Sequence, residues 1–401
     1  MSDEKNPIRY SEARALEDVT LWQGGVPTRI FAFLLPVWRV EIRATVTQGE
    51  DYALIDRFLE RGIALAGLDT PAALADFLGL DEVVVDRALR FLAAIGHLAR
   101  QDERLTLTDL GQRSVRDDKR YIVTHQDRRV LYFDAFGSRP LTSPYYDAAV
   151  TLLSPGQAQA VAAAGEWPRF RALTSTHGFR PEALAELARH SERQKFNLPE
   201  RLDELEVLGA AEHAFLPMYL VRATQPGQRV RLFAYTQAGD SADLDVSELC
   251  EQTPEISWLI ENEEVSAPAF PESAARWLDG LKLGSYRPGR MPGGVWRATL
   301  PGSAFGPGAA LSLVTVGSFV VRGRDILNVW CDDVGIRRRT LLERVDFYLS
   351  YRASPDRVST EALVGQLARL LDLGAVGLPE LRRMAIDGGK RSLAAQLASL
   401  S

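Results

Sequence analysis

The hydrophobic period of this chain changes abruptly at Asp51, and that change limits what its first third can fold into. Before it, Trp38, Val40, Ile42 and Ala44 alternate with Val37, Arg39, Glu41 and Arg43, the period-two pattern of a half-buried strand. The first fifty residues are therefore expected to hold one or two strands. After it, Leu54, Ile55, Phe58, Leu59 and Ile63 recur at the spacing of one helix face, with Asp56, Arg57, Glu60 and Arg61 opposite. Thr70-Pro71 marks the N-cap and first-turn proline of a second helix running through Phe77, which Gly79-Leu80 ends. Asp81 can cap a third helix whose apolar stripe is Val84, Val85, Ala88, Leu89, Phe91 and Leu92, stopped by Gly96. Two short β runs come next, His97–Arg100 and Leu105–Thr108, on either side of the polar tip Gln101–Arg104. Ile55, Phe58, Leu59, Leu74, Leu89 and Leu92 are expected to bury together.

Helix, helix, turn, helix and a two-stranded wing is the order of a winged helix-turn-helix, and residues 51–115 resemble that superfamily. The resemblance rests on Thr70-Pro71-Ala72-Ala73-Leu74-Ala75, Leu78-Gly79-Leu80, Leu89-Arg90-Phe91-Leu92 before Gly96-His97-Leu98, and Leu107-Thr108-Asp109-Leu110-Gly111. It implies a module whose third helix enters the major groove of DNA while the wing holds phosphates.

The rest of the chain is read as an α+β protein. Strand-like Tyr121–Val123 and Arg129–Phe133 occupy a basic strand and loop segment, 116–154, and helices are expected from Pro155 to Gly209. Ala183–Leu187 echoes Ala73–Phe77, and Leu202–Gly209 echoes Leu89–Gly96, so 155–225 is read as helical with a possible second winged-helix-like unit over about 170–225. Residues 226–401 read as a β-rich domain with a helical tail. Met218–Arg222 and Val230–Thr236 flank Pro226-Gly227 as a hairpin, and Val295–Leu300, Leu311–Val321 and Ile326–Cys331 are further strands. Helices are expected at Arg337–Leu349, Ser359–Leu371, Pro379–Ile386 and Arg391–Leu400, with Trp258, Trp277, Trp296 and Trp330 packing the C-terminal core.

Composition narrows the partners. Across 401 residues, Lys+Arg number 47 against 53 Asp+Glu, a net charge of −6, so no global positive field draws nucleic acid or an anionic membrane. The apolar run Ile30–Trp38 falls short of the ~20 residues a membrane helix needs. Met-Ser-Asp-Glu-Lys does not read as a secretory signal, and two cysteines, Cys250 and Cys331, fit a reducing cytoplasm better than a disulfide framework. A cytoplasmic bacterial protein is expected.

The candidate DNA contacts are Arg87 and Arg90 on the third helix, Arg104 on the wing, and Arg113, Arg116, Lys119, Arg120, Arg128 and Arg129 beyond it. The last six face only Asp117, Asp118 and Asp127, with Tyr121 and His125 interleaved, so this stretch suits double-stranded DNA phosphates or, equally, a solvated linker of ion pairs. Residues 51–115 themselves carry seven Arg against eleven carboxylates, and the third helix begins Asp81-Glu82 where a base reader needs Arg, Lys, Asn or Gln.

Enzyme signals are sparse. Gly388-Gly389-Lys390-Arg391-Ser392 lacks the spacing and hydroxyl of a phosphate loop, and Gly302, Gly306 and Gly308 read as turns. The histidines His97, His125, His177, His190 and His213 are scattered, so no metal or cofactor is expected; His97 reads as structural, and Arg337-Arg338-Arg339 as a solvated helix start. One constellation could hydrolyse a phosphodiester: His125 as base with Asp127, Asp134 and the Arg128-Arg129 pair. Three readings result. The first is a DNA-associated regulator or subunit, the second a non-catalytic scaffold whose winged helix binds a protein partner or a second copy in DNA maintenance or anti-phage defence, and the third a nuclease.

Overall fold

The computed structural model describes residues 7–8, 11–101, 104–147, 150–164, 169–175, 177–199, 202, 204–227, 229–264, 272–286, 288–291, 294–322, 325–350 and 356–400. Over these the chain is mixed α+β and packs as two units, one of Met1–Val37, Asp147–Thr176 and Ala214–Ser401, the other of Trp38–Tyr146 and His177–His213.

In chain order, α1 (Glu12–Leu21) precedes the long strand β1 (Val26–Glu50). Three helices come next, α2 (Leu54–Ala66), α3 (Pro71–Leu78) and α4 (Glu82–Ala94), then the hairpin β2 (Leu98–Gln101) and β3 (Arg104–Leu107), α5 (Asp109–Asp117) and β4 (Arg120–Asp134). The middle of the chain supplies α6 (Pro155–Ala163), β5 (Arg171–Ala172), α7 (Pro181–Arg189), β6 (Glu204–Val207), β7 (Glu212–Gln225) and β8 (Arg229–Tyr235). Then come α8 (Leu244–Gln252), α9 (Pro254–Glu264), α10 (Glu272–Gly280), β9 (Gly289–Arg290), β10 (Trp296–Thr299), β11 (Phe319–Arg322) and β12 (Asp325–Trp330). Four helices close the chain: α11 (Val334–Ser350), α12 (Arg357–Leu370), α13 (Leu378–Asp387) and α14 (Arg391–Ser399).

The larger unit is built on a sheet of order β8-β7-β1-β12-β10-β9, with β11 against β12 and β5 parallel to Phe33-Leu34. The expected hairpin across Pro226-Gly227 is present, pairing Tyr219 with Tyr235. One core layer packs Leu16, Val19, Leu34, Tyr219 and Phe233; a second packs α11–α14 through Leu341, Val345, Leu363, Leu381 and Leu397 against Leu327 and Val329.

In the smaller unit, β4 and β6 flank the second half of β1, and Val40, Ile42, Leu131 and Phe133 bury against Leu184 and Leu187 of α7. The α2–α3–α4 cluster has its own core of Leu59, Leu74, Val85, Leu89, Leu92, Leu98 and Leu105. Local chemistry sets its boundaries. Thr70 accepts from the Ala73 N–H and Asp81 from the Val83 N–H, while Gly67 and Gly79, at φ 65° and 64°, stop α2 and α3 in a conformation that glycine adopts without strain.

Several expectations are corrected. The first fifty residues include a helix as well as strand, because Ser11 caps α1 and Ala15, Leu16 and Val19 share its buried face. The echo of the third helix at Leu202–Gly209 is strand β6, paired with Ile42–Thr45, so that stretch does not repeat α4. Leu311–Val321 is strand only from Phe319, since Gly317 (φ 77°) interrupts it after a short turn. Three helices, α8 to α10, stand where a β-rich stretch is expected; Asp243 caps α8, and Val246, Leu249 and Cys250 bury at helical spacing. Phe58 is 48% exposed and leaves the predicted core stripe, and Trp258, 67% exposed, does not pack the C-terminal core. Arg337 is buried rather than solvated, donating to the Leu371 and Asp372 carbonyls. No described helix is long and apolar enough to cross a membrane.

Candidate functional site

A buried polar knot fastens the three-helix cluster to strand β4. Glu60 of α2 and His97, at the entrance to β2, are both fully buried. His97 Nδ1 meets the Glu60 carboxylate, its Nε2 meets the Tyr121 carbonyl of β4, and the Tyr52 hydroxyl donates to Glu60. A carboxylate and a carbonyl can only accept, so with Glu60 ionised both ring nitrogens carry protons and His97 is imidazolium. Burial alone would lower its pKa, but the bonds to Glu60 and Tyr121 and the Glu60 charge outweigh it and hold His97 above its ordinary value. Burial and the same carboxylate push the Tyr52 hydroxyl far up, so it remains a donor. Alongside, Arg120 bridges Glu50 at 2.7 Å and Asp56 at 3.1 Å, and the Glu50 bond raises its pKa. His97 is thus structural, and Arg120 is held by two carboxylates rather than offered to a phosphate.

The other candidate residues divide according to their partners. Arg90 pairs with Asp86 one turn away. Arg104 lies 3.6 Å from Asp69, and Arg113 lies 3.9 Å from Asp117 with its guanidinium 4.7 Å above the Tyr121 ring. Arg129 donates to Asp127 at 2.7 Å and to the Asn197 carbonyl at 2.9 Å. Arg87, Arg116, Lys119 and Arg128 are exposed and have no described ion pair. On the α2 side, Arg57 and Arg61 converge on Asp118, which removes two further cations.

The two carboxylates of the phosphodiesterase constellation are not brought together. Asp127 and Asp134 lie on one continuous strand, β4, seven positions apart, which at ~3.3 Å per residue separates them by about 23 Å along the strand and places them on opposite faces. Asp134 is buried, and its carboxylate accepts from the N–H groups of Phe136, Gly137 and Arg139, which makes it the lock of a turn. The side chain of His125 lies outside the described residues. Among the described residues, no group of three or more His, Cys, Asp or Glu is arranged to hold a metal ion.

The feature that residue type alone did not flag is apolar. Phe77 on α3, Leu80 in the turn, and Val83, Val84 and Phe91 on α4 are all exposed, Val83 by 74% and Phe77 by 64%. Asp76, Asp81 and Glu82 are exposed beside them. Val84 and Phe91, expected in the apolar stripe of the third helix, are exposed instead, because only the i, i+4, i+7 series Val85, Leu89 and Leu92 faces the core. Compared with known proteins, the chain matches no family model, no curated protein and no solved structure.

Proposed function

We propose that residues 51–115 are a winged helix-turn-helix used as a protein-docking module, and that the chain is a non-catalytic scaffold or subunit of a larger assembly. The order α2–α3–α4–β2–β3 supports the module, and one observation carries the choice of partner. The helix that would enter the major groove begins with Asp81 and Glu82 and turns Val83 and Val84 outward, with its Arg90 already paired to Asp86 and its part-exposed Phe91 ring under the Arg120 guanidinium, 5.4 Å away. Phosphate is repelled by such a surface, whereas clustered apolar side chains with an acidic border mark a protein interface. The matching partner presents apolar side chains bordered by Lys or Arg.

A photo-crosslinking residue placed at position 83 or position 116 of the full chain in its host cell tests this. Position 83 is expected to give a protein adduct that disappears when Asp81→Lys and Glu82→Lys are added. Nucleic-acid adducts at position 116, with none at 83, would overturn it.

A second reading, double-stranded DNA, is favoured by the exposed Arg116 and Lys119 beside Arg113 at the end of α5. On that reading binding is weakly sequence-specific and steep in salt. Arg116→Ala with Lys119→Ala then weakens every duplex alike and reduces the slope of log K against log salt by about 2. A loss confined to one duplex sequence contradicts it.

A further inference from the structure

A pocket of about 340 Å³ lies within the larger unit, walled by Leu16 of α1, Phe319 and Val320 of β11, Phe347 and Tyr348 of α11, and Leu370 of α12. Its lining is mainly apolar, but it includes Arg344 of α11, which is only 6% exposed. One side of that guanidinium is fully used. Nε donates to the Val314 carbonyl at 3.1 Å, and Nη2 donates to the carbonyls of Val314 at 2.7 Å and Val316 at 3.0 Å and to the Ser318 hydroxyl. Nη1 makes no described hydrogen bond, and no described carboxylate lies within ion-pair distance of Arg344. The charged group nearest in effect is Glu17 of α1, which is exposed and also lines the pocket.

Nη1 is not sealed off: these bonds leave it over and solvent reaches it, so an acceptor that enters the pocket can pair with it. Desolvation lowers the Arg344 pKa and the Glu17 charge raises it, yet an arginine remains protonated in proteins, so the pocket presents a fixed positive charge to an entering anion. The backbone carbonyls fix the guanidinium in place and supply no net charge. The volume is at the lower end of that for small-molecule sites, which are likewise apolar with a few polar groups that orient the ligand.

We propose that this pocket binds a small amphipathic monocarboxylate, its carboxylate accepting from Arg344 Nη1 and its apolar body lying between α1 and α11. Glu17 at the open side disfavours a second carboxylate at the outer end. This assignment is independent of the docking face, since it uses residues of the other unit only.

Titration calorimetry of the full chain with octanoate, and with 1-octanol as the uncharged match, tests it. Octanoate is expected to bind saturably and at least tenfold more tightly than 1-octanol, and Arg344→Lys is expected to reduce that preference. Because a change at Arg344 risks the fold, Ala13→Trp provides a second arm. Ala13 is an exposed position of α1 that lines the pocket, so a large ring there fills the space and is expected to abolish octanoate binding with melting temperature unchanged. Equal binding of octanoate and 1-octanol, no saturable binding of octanoate, or full binding by a folded Ala13→Trp chain would each overturn the proposal.

Discussion

Replacing His97 by leucine is expected to destabilise the α2–β2–β4 knot by about 3 to 5 kcal/mol, because it strands the buried Glu60 carboxylate and leaves the Tyr121 carbonyl without its donor. Replacing Glu60 and His97 together by leucine should cost less than the sum of the two single changes, since no uncompensated charge then remains. Amide hydrogen exchange in α2 and β2 of the full chain reads the local opening energy, which a melting curve of a chain with two packed units would blur. Additive costs would mean that the pair is not coupled. The same knot sets a pH dependence. His97 titrates higher in the folded chain than in the unfolded one, so its contribution is complete below its unfolded pKa of about 6.5 and is lost as pH rises through the higher folded value. Protection of α2 and β2 should therefore fall as pH rises above about 6.5, and the His97→Leu chain should not show that fall.

Leu89→Ala is the second large effect. Leu89 is 4% exposed and packs with Leu59, Leu74, Val85 and Leu92, so truncation removes buried methyl groups and leaves a cavity that neighbouring helices cannot wholly close. A loss of about 2 to 5 kcal/mol is expected, seen as faster exchange across α3, α4 and the β2–β3 hairpin. Phe58→Ala is the internal control. Its side chain is half-exposed, so exchange there should change much less than for Leu89→Ala. Equal effects of the two substitutions would mean that α2 is turned the wrong way.

The sequence by itself determined those elements whose information is local. The Thr70 and Asp81 caps, the glycine stop after α3, and Val85, Leu89 and Leu92 within the expected stripe define α3 and α4 of the smaller unit, because capping and amphipathic spacing are decided within one or two turns. The β7–β8 hairpin was legible for the same reason, through the turn at Pro226-Gly227. Tertiary structure decided what depends on partners far along the chain. Glu204–Val207 has a helix-like pattern yet becomes a strand because Ile42–Thr45 pairs with it. The basic residues were countable from the sequence, but not which of them are consumed: Arg120 is held by Glu50 and Asp56, Arg129 by Asp127 and Asn197, and Arg337 by carbonyls at the end of α12. The pocket around Arg344 shows the same limit most sharply, since its walls come from α1 and from residues between 314 and 370. Period and capping act between neighbours, whereas ion pairing, strand pairing and cavity shape act between residues that only the folded chain brings together.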